Sequence, residues 1–230
     1  MSELLASSAV FGMLVSLLLY KLGMLLKKRF RSGLVNPLLI AIAGTIALLM
    51  VLGVDYGSYA ASTQPLSYLL TPATVCLAIP LYRQLALLKK SWKAVMGGIA
   101  IGVLTSLVCT FLLALAFSLD SAQYATLLPK SITTAIGMGV SAELGGIETI
   151  TVAVIVLTGI AGNVMAEPVC RLFGITDPVA RGVAIGTSAH AIGTARALEM
   201  DQVTGAMSGL AIAAAGIMTV VLAPVFAGFI

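Results

Sequence analysis

The side chains best equipped for chemistry in this chain stand in two short runs. One reads Leu127-Leu128-Pro129-Lys130-Ser131-Ile132-Thr133-Thr134. The other, Gly186-Thr187-Ser188-Ala189-His190-Ala191-Ile192-Gly193-Thr194-Ala195-Arg196, holds the single histidine. Both lie in otherwise apolar sequence, where an ionisable side chain is costly and by default marks a function. Proline suits the first position of a helix, so Pro129 predicts a short helix whose opening amides lie beside Lys130, Ser131, Thr133 and Thr134. Free amides, an ammonium group and hydroxyls together make an anion site. The competing reading has Lys130 snorkelling to a membrane interface.

In the second run, helical spacing puts Thr187, His190 and Thr194 on one face, with Ser188 adjoining. Gly186 and Gly193 permit close backbone approach or unwinding. Three roles are open to His190: a hydrogen-bond partner for a ligand, a proton carrier near physiological pH, or a satisfied core residue. Arg196 either grips a carboxylate bidentately or pairs with Glu199. Glu167, one turn after Asn163, is a second candidate for proton coupling, with an interfacial charge as its alternative.

The elements that must position these groups are membrane helices. Hydrophobic residues make up 60% of the 230-residue chain and charged residues 10%, a balance that leaves a soluble domain too little polar surface. The expected fold is an all-α polytopic membrane protein forming one integral domain over residues 1–230. Stretches of at least roughly 20 apolar residues, enough to cross a bilayer, run from about Leu4 to Leu26, Leu34 to Gly53, Leu66 to Leu88, Ala94 to Phe117, Ile147 to Cys170, Val179 to Leu198 and Val203 to Phe229. A shorter segment, Tyr124 to Val140, is expected to dip in and return.

Within the third stretch, Pro72 and Pro80 flank Thr74 and predict a kinked or unwound helix. A displacement that lays Thr74 on Thr187 also brings Ala78-Ile79 onto Ala191-Ile192 and Arg83 onto Arg196. This points to internal repeats, about 34–117 and 147–229, each with a broken helix, in the inverted relation found in secondary transporters.

Basic residues crowd two loops, with Lys27, Lys28, Arg29 and Arg31 in one and Lys89, Lys90 and Lys93 in the other, so both are expected in the cytoplasm and the N-terminus outside. That bias accounts for the net charge of +4 without nucleic-acid binding. Cys76, Cys109 and Cys170 lack metal-ligand or redox spacing and read as packing residues. No cofactor, no metal site and no enzymatic nucleophile with its base is expected.

The runs Asn36-Pro37-Leu38-Leu39 and Ala78-Ile79-Pro80-Leu81-Tyr82, with the lysine and histidine runs, resemble the LrgB/CidB family of bacterial membrane proteins over nearly the whole chain. Ala135 departs from the proline often following the threonine pair. The resemblance implies a multi-pass protein of the bacterial cell membrane with a small holin-like partner of the LrgA/CidA type; a homodimer is also open. It implies one of two functions. One is antiholin-like control of murein hydrolase export and lysis. The other is carriage of small hydroxy or keto acids, as in the plant plastidic glycolate/glycerate transporter. Lys130, the hydroxyls and His190 favour carriage of a small organic anion, because a monocarboxylate needs a compact, cationic, donor-rich pocket.

Overall fold

The computed structural model describes residues 10–30, 36–69, 72, 75–76, 78–83 and 85–230. Among the described residues the chain is helical throughout, without strands, and it divides into two units, Met1–Cys76 and Leu77–Ile230.

The first unit holds α1 (Phe11–Phe30), α2 (Pro37–Leu52) and α3 (Tyr56–Tyr68). Asn36 caps α2 by accepting from the Leu38 amide, Pro37 opens it, and Gly53 at φ 62 ends it in the left-handed region. Asp55 caps α3 by accepting from the Gly57 and Ser58 amides at 2.9 Å. Those bonds hold its carboxyl below the usual carboxylate range. Gly12 lets α1 approach α3, where its amide donates to Ser62 Oγ at 2.9 Å.

The second unit holds α4 (Ala78–Arg83), α5 (Leu85–Ala116), α6 (Ser121–Leu127), α7 (Thr134–Glu143), α8 (Glu148–Leu172), α9 (Pro178–Met200) and α10 (Gln202–Ala227). Three helices are long and apolar enough to cross a membrane: α5 over Lys89–Ala116, α8 and α10. Of the stretch Leu66 to Leu88, expected as one span, the described residues include the end of α3, the short helix α4 and the start of α5, and most of the residues joining them lie outside the described ones. Pro80 lies inside α4, Pro72 is exposed, and Thr74 lies outside the described residues.

Two helical hairpins stand among these helices. In the first, the chain enters along α6, turns over 128–133 and returns along α7. The reversal is fixed by Thr126, whose hydroxyl accepts from the Ile147 amide at 2.8 Å and whose carbonyl accepts from Thr151 Oγ1 at 3.0 Å. Thr151 Oγ1 also shares a 2.7 Å hydrogen bond with Ser141 Oγ on the returning arm. The helix expected from Pro129 starts at Thr134. The turn itself takes the intervening amides: Lys130 donates to the Leu127 carbonyl and Ile132 to that of Pro129, each at 3.2 Å.

The second hairpin is α9. A straight helix of 23 residues would be roughly 35 Å long, yet Thr204 Oγ1, just beyond its end, donates to the carbonyl of Pro178, its first residue, at 3.1 Å. The chain therefore doubles back, and it does so at His190, at φ 40 and ψ −141. The stretch Val179 to Leu198, expected as a span, is thus two short antiparallel arms. Glycine makes the fold-back possible: a Cβ on Gly193 would meet Ala189 Cβ at 2.6 Å and the Ile185 carbonyl oxygen at 3.4 Å, both on the opposite arm.

The hairpins enter from opposite ends of α10. Hairpin one has its base at the far end, where Ser121 Oγ and Tyr124 Oη donate to the carbonyls of Ile230 and Phe226. Hairpin two has its base at the near end, beside Thr204. They are also alike in sequence: laying Thr134 on His190 superimposes Ala135-Ile136-Gly137 on Ala191-Ile192-Gly193, Ser131 on Thr187 and Glu143 on Glu199. Their glycines serve different contacts: a Cβ on Gly193 would meet the opposite arm of its own hairpin, whereas one on Gly137 would meet Ile155 of α8 first and the Pro129 turn second.

Candidate anion site

A cavity of about 1050 Å³ lies between α5, α8, the first arm of α9 and the turn of the first hairpin. The first arm of α9 runs parallel to α5, because a Cβ on Gly98 would touch Val183 and one on Gly102 would touch Thr187. Both helices therefore descend together, from Ser91 and Asp177 at one end to Ser106 and Thr187 deep inside, where Lys130 forms part of the wall.

Lys130 Nζ donates to Ser106 Oγ at 3.1 Å and to Ser131 Oγ at 3.2 Å, and those two hydroxyls lie 2.9 Å apart. No ion pair among the described residues includes Lys130. An ammonium group bonded only to neutral hydroxyls keeps its charge uncompensated, so a small anion would supply the missing partner. Most of the remaining lining is apolar, including Val95, Ile101, Met165 and Val183, which raises the strength of any charge-assisted bond made there.

Of the residues expected to bind a ligand, the structure brings Lys130, Ser131, Thr187 and Ser188 to this cavity. Ser188 spends its proton on its own helix, at the Ala184 carbonyl 2.7 Å away. Thr133 is the N-cap of α7, making no side-chain cap bond, and Thr134 is that helix's first residue; neither lines the cavity.

His190 is 3% exposed, and its Nε2 lies 3.0 Å from the Ile155 carbonyl oxygen of α8 in a hydrogen bond. Its ring fills the place a side chain on Gly159 would take. Thr194 donates to the His190 carbonyl at 2.9 Å and shares a 2.7 Å bond with Ser208 Oγ. Asn163 Nδ2 donates to the Ile192 carbonyl at 2.8 Å. These residues hold the reversal in place. The break falls on His190 and not on the flanking glycines: Gly186 is needed for contact with the Ser208 backbone and Gly193 for contact between the arms.

Arg196 pairs with Glu199 at 2.7 Å and with Glu167. Glu167 in turn also pairs with Arg171. Of the roles open to Arg196, the structure displays the pairing with Glu199, extended into a four-residue ionic cluster.

Sequence reasoning missed Ser106, Thr105, Thr158 and Cys109, which line the same cavity. A small polar residue inside a long apolar helix has no neighbouring pattern to mark it. The one available signal was Gly98 and Gly102, whose spacing announces a face of α5 closely approached by another helix.

A family model, the LrgB-like family, matches residues 16–229. The antiholin-like proteins LrgB of Bacillus cereus (strain B4264), Bacillus cereus (strain AH187) and Bacillus anthracis (strain CDC 684 / NRRL 3495) are each 36% identical over 221 residues, covering 96% of this chain and 96% of theirs. No solved structure matches. With its helices of membrane-crossing length and this similarity over nearly its whole length, the chain belongs to the LrgB-like family of membrane proteins.

Proposed function

We propose that the protein is a multi-pass carrier of the bacterial cell membrane for small monocarboxylates of the pyruvate, glycolate, glycerate or lactate type. The observation that carries this reading is Lys130, deep in an apolar cavity with two hydroxyl partners and no carboxylate among its bonded groups. The two hairpins are then re-entrant segments whose tips meet near the middle of the bilayer, one from each side. Non-helical backbone is tolerable there because protein surrounds it, as in transporters built from inverted repeats. Ser91 and Asp177 mark the cytoplasmic end, in keeping with the basic residues of the α5 start.

The test is uptake of labelled pyruvate, glycolate, glycerate and lactate into proteoliposomes holding this chain alone, then with a small holin-like membrane partner. Saturable flux that is lost in Lys130→Ala is the expected result.

A second reading is an antiholin-like regulator of murein hydrolase export and lysis. It is favoured by the shared name of the relatives at 36% identity, which speaks for it more directly than for carriage. Absence of flux in both preparations, with altered lysis in cells lacking the protein, would establish regulation in place of carriage.

A further inference from the structure

We propose that Thr187 is the specificity-determining residue of the Lys130 site, where its hydroxyl reads a second oxygen next to the substrate's carboxylate. This rests on the anion-site reading above and adds a selection rule to it. Thr187 Oγ1 is the one buried side-chain polar atom without a hydrogen-bond partner among the described residues, on a residue 5% exposed that lines the cavity. A buried hydroxyl left unpaired is costly, and an easy remedy was at hand. Hydroxyls in helices commonly turn back to the carbonyl four residues earlier, as Ser188 does to Ala184, Thr194 to His190 and Thr110 to Ser106. Thr187 does not.

Its position fits a particular ligand chemistry. A Cβ on Gly102 would lie 2.7 Å from Thr187 Cγ2 and 3.9 Å from Oγ1, and Gly102 stands one turn from Ser106, roughly 6 Å along α5. In this reading the carboxylate lies on Lys130 and Ser106, and an oxygen on the adjoining carbon takes the unpaired Thr187 hydroxyl. An unsubstituted acid of the same length leaves Thr187 unpaired. A site built to bond an oxygen discriminates against the analogue lacking it.

Calorimetric binding of glycolate and of acetate to the purified full chain in lipid nanodiscs tests this. The parent should prefer glycolate by roughly tenfold. Thr187→Val should remove that preference, and Thr187→Ser should keep it. Should Thr187→Val not fold, Gly102→Ala displaces the same side chain and should also abolish the preference. Equal affinity of the parent for both acids, or a preference that survives Thr187→Val, overturns the role of Thr187 while the anion site stands. If the parent binds neither acid, the anion-site reading itself fails and the selection rule with it.

Discussion

Lys130 and His190 occupy the turns of the two hairpins, yet they meet opposite fates. Lys130 points its charge into a cavity and is held there by Ser106 and Ser131. His190 turns its ring into protein, against Gly159 and the Ile155 carbonyl. Replacing Lys130 by alanine should therefore weaken carboxylate binding tenfold to a hundredfold, the equivalent of roughly 1.5 to 3 kcal/mol for a charge-assisted bond. The folded protein should persist, because no carboxylate is left unpaired. Equilibrium binding in detergent decides it; an unaltered dissociation constant would remove Lys130 from the site. His190→Leu leaves the Ile155 carbonyl without this partner and should lower stability by about 1 to 3 kcal/mol, read as the midpoint of thermal unfolding. His190→Gly removes the strain of a positive φ but loses the same bond, so it too should not exceed the parent. Much of this was legible in the residues: Lys130, Ser131 and Thr187 announce themselves as polar groups in apolar sequence. Ser106 did not, because its importance arises only when a distant turn is folded against it.

At the level of elements, the second hairpin was concealed by its own composition. Val179 to Leu198 has the length of a span and no proline at its reversal; Gly186 and Gly193 marked a broken helix there, but not that the chain turns back on itself at His190. What creates the reversal is tertiary: glycines on α8 make room for it, and polar groups of α8 and α10 hold it. The first hairpin was easier to foresee, since Pro129 and Lys130 interrupt its apolar run. The glycines supply a paired test. A Cβ on Gly162 would stand 2.2 Å from Ala189 Cβ, whereas one on Gly139 meets nothing within 4 Å. Gly162→Ala should thus destabilise by about 1 to 3 kcal/mol through overpacking, and Gly139→Ala should be neutral or stabilising by up to roughly 1 kcal/mol through helix propensity. Comparable unfolding midpoints for the two variants would mean that the second hairpin does not pack on α8 as described.

At the scale of the whole molecule, hairpins entering from opposite faces require Ser91 and Thr176 to share one side of the membrane and Ser121 to lie on the other. Cysteines introduced at Ser91 and Thr176 should react with a membrane-impermeant thiol reagent from the cytoplasm, and one at Ser121 from outside, in a background with Cys76 and Cys109 replaced. Labelling of position 121 from the same side as 91 would mean that the hairpins do not enter from opposite faces. In the parent, Cys109 lines the cavity while Cys170 is buried. Bound carboxylate should therefore slow labelling of Cys109 in a Cys76→Ser variant, and no change in that rate would place the anion elsewhere. The all-helical class and the membrane setting were readable from composition. The span count was not, since apolar length alone cannot tell a crossing from a return.

The arrangement also bears on how the protein is made. The hairpin carrying Lys130 leaves the ribosome before α8, which brings Thr151 to its arms, and well before α10, whose Phe226 carbonyl receives Tyr124. Until those helices arrive, the Thr126 carbonyl and the Tyr124 hydroxyl lack partners that lipid cannot supply. The lysine turn is therefore expected to wait in a hydrated or interfacial place during synthesis and to sink to its final depth only once α10 has been inserted. Chains arrested after Leu172 should leave position 130 open to aqueous reagents that no longer reach it in the finished protein.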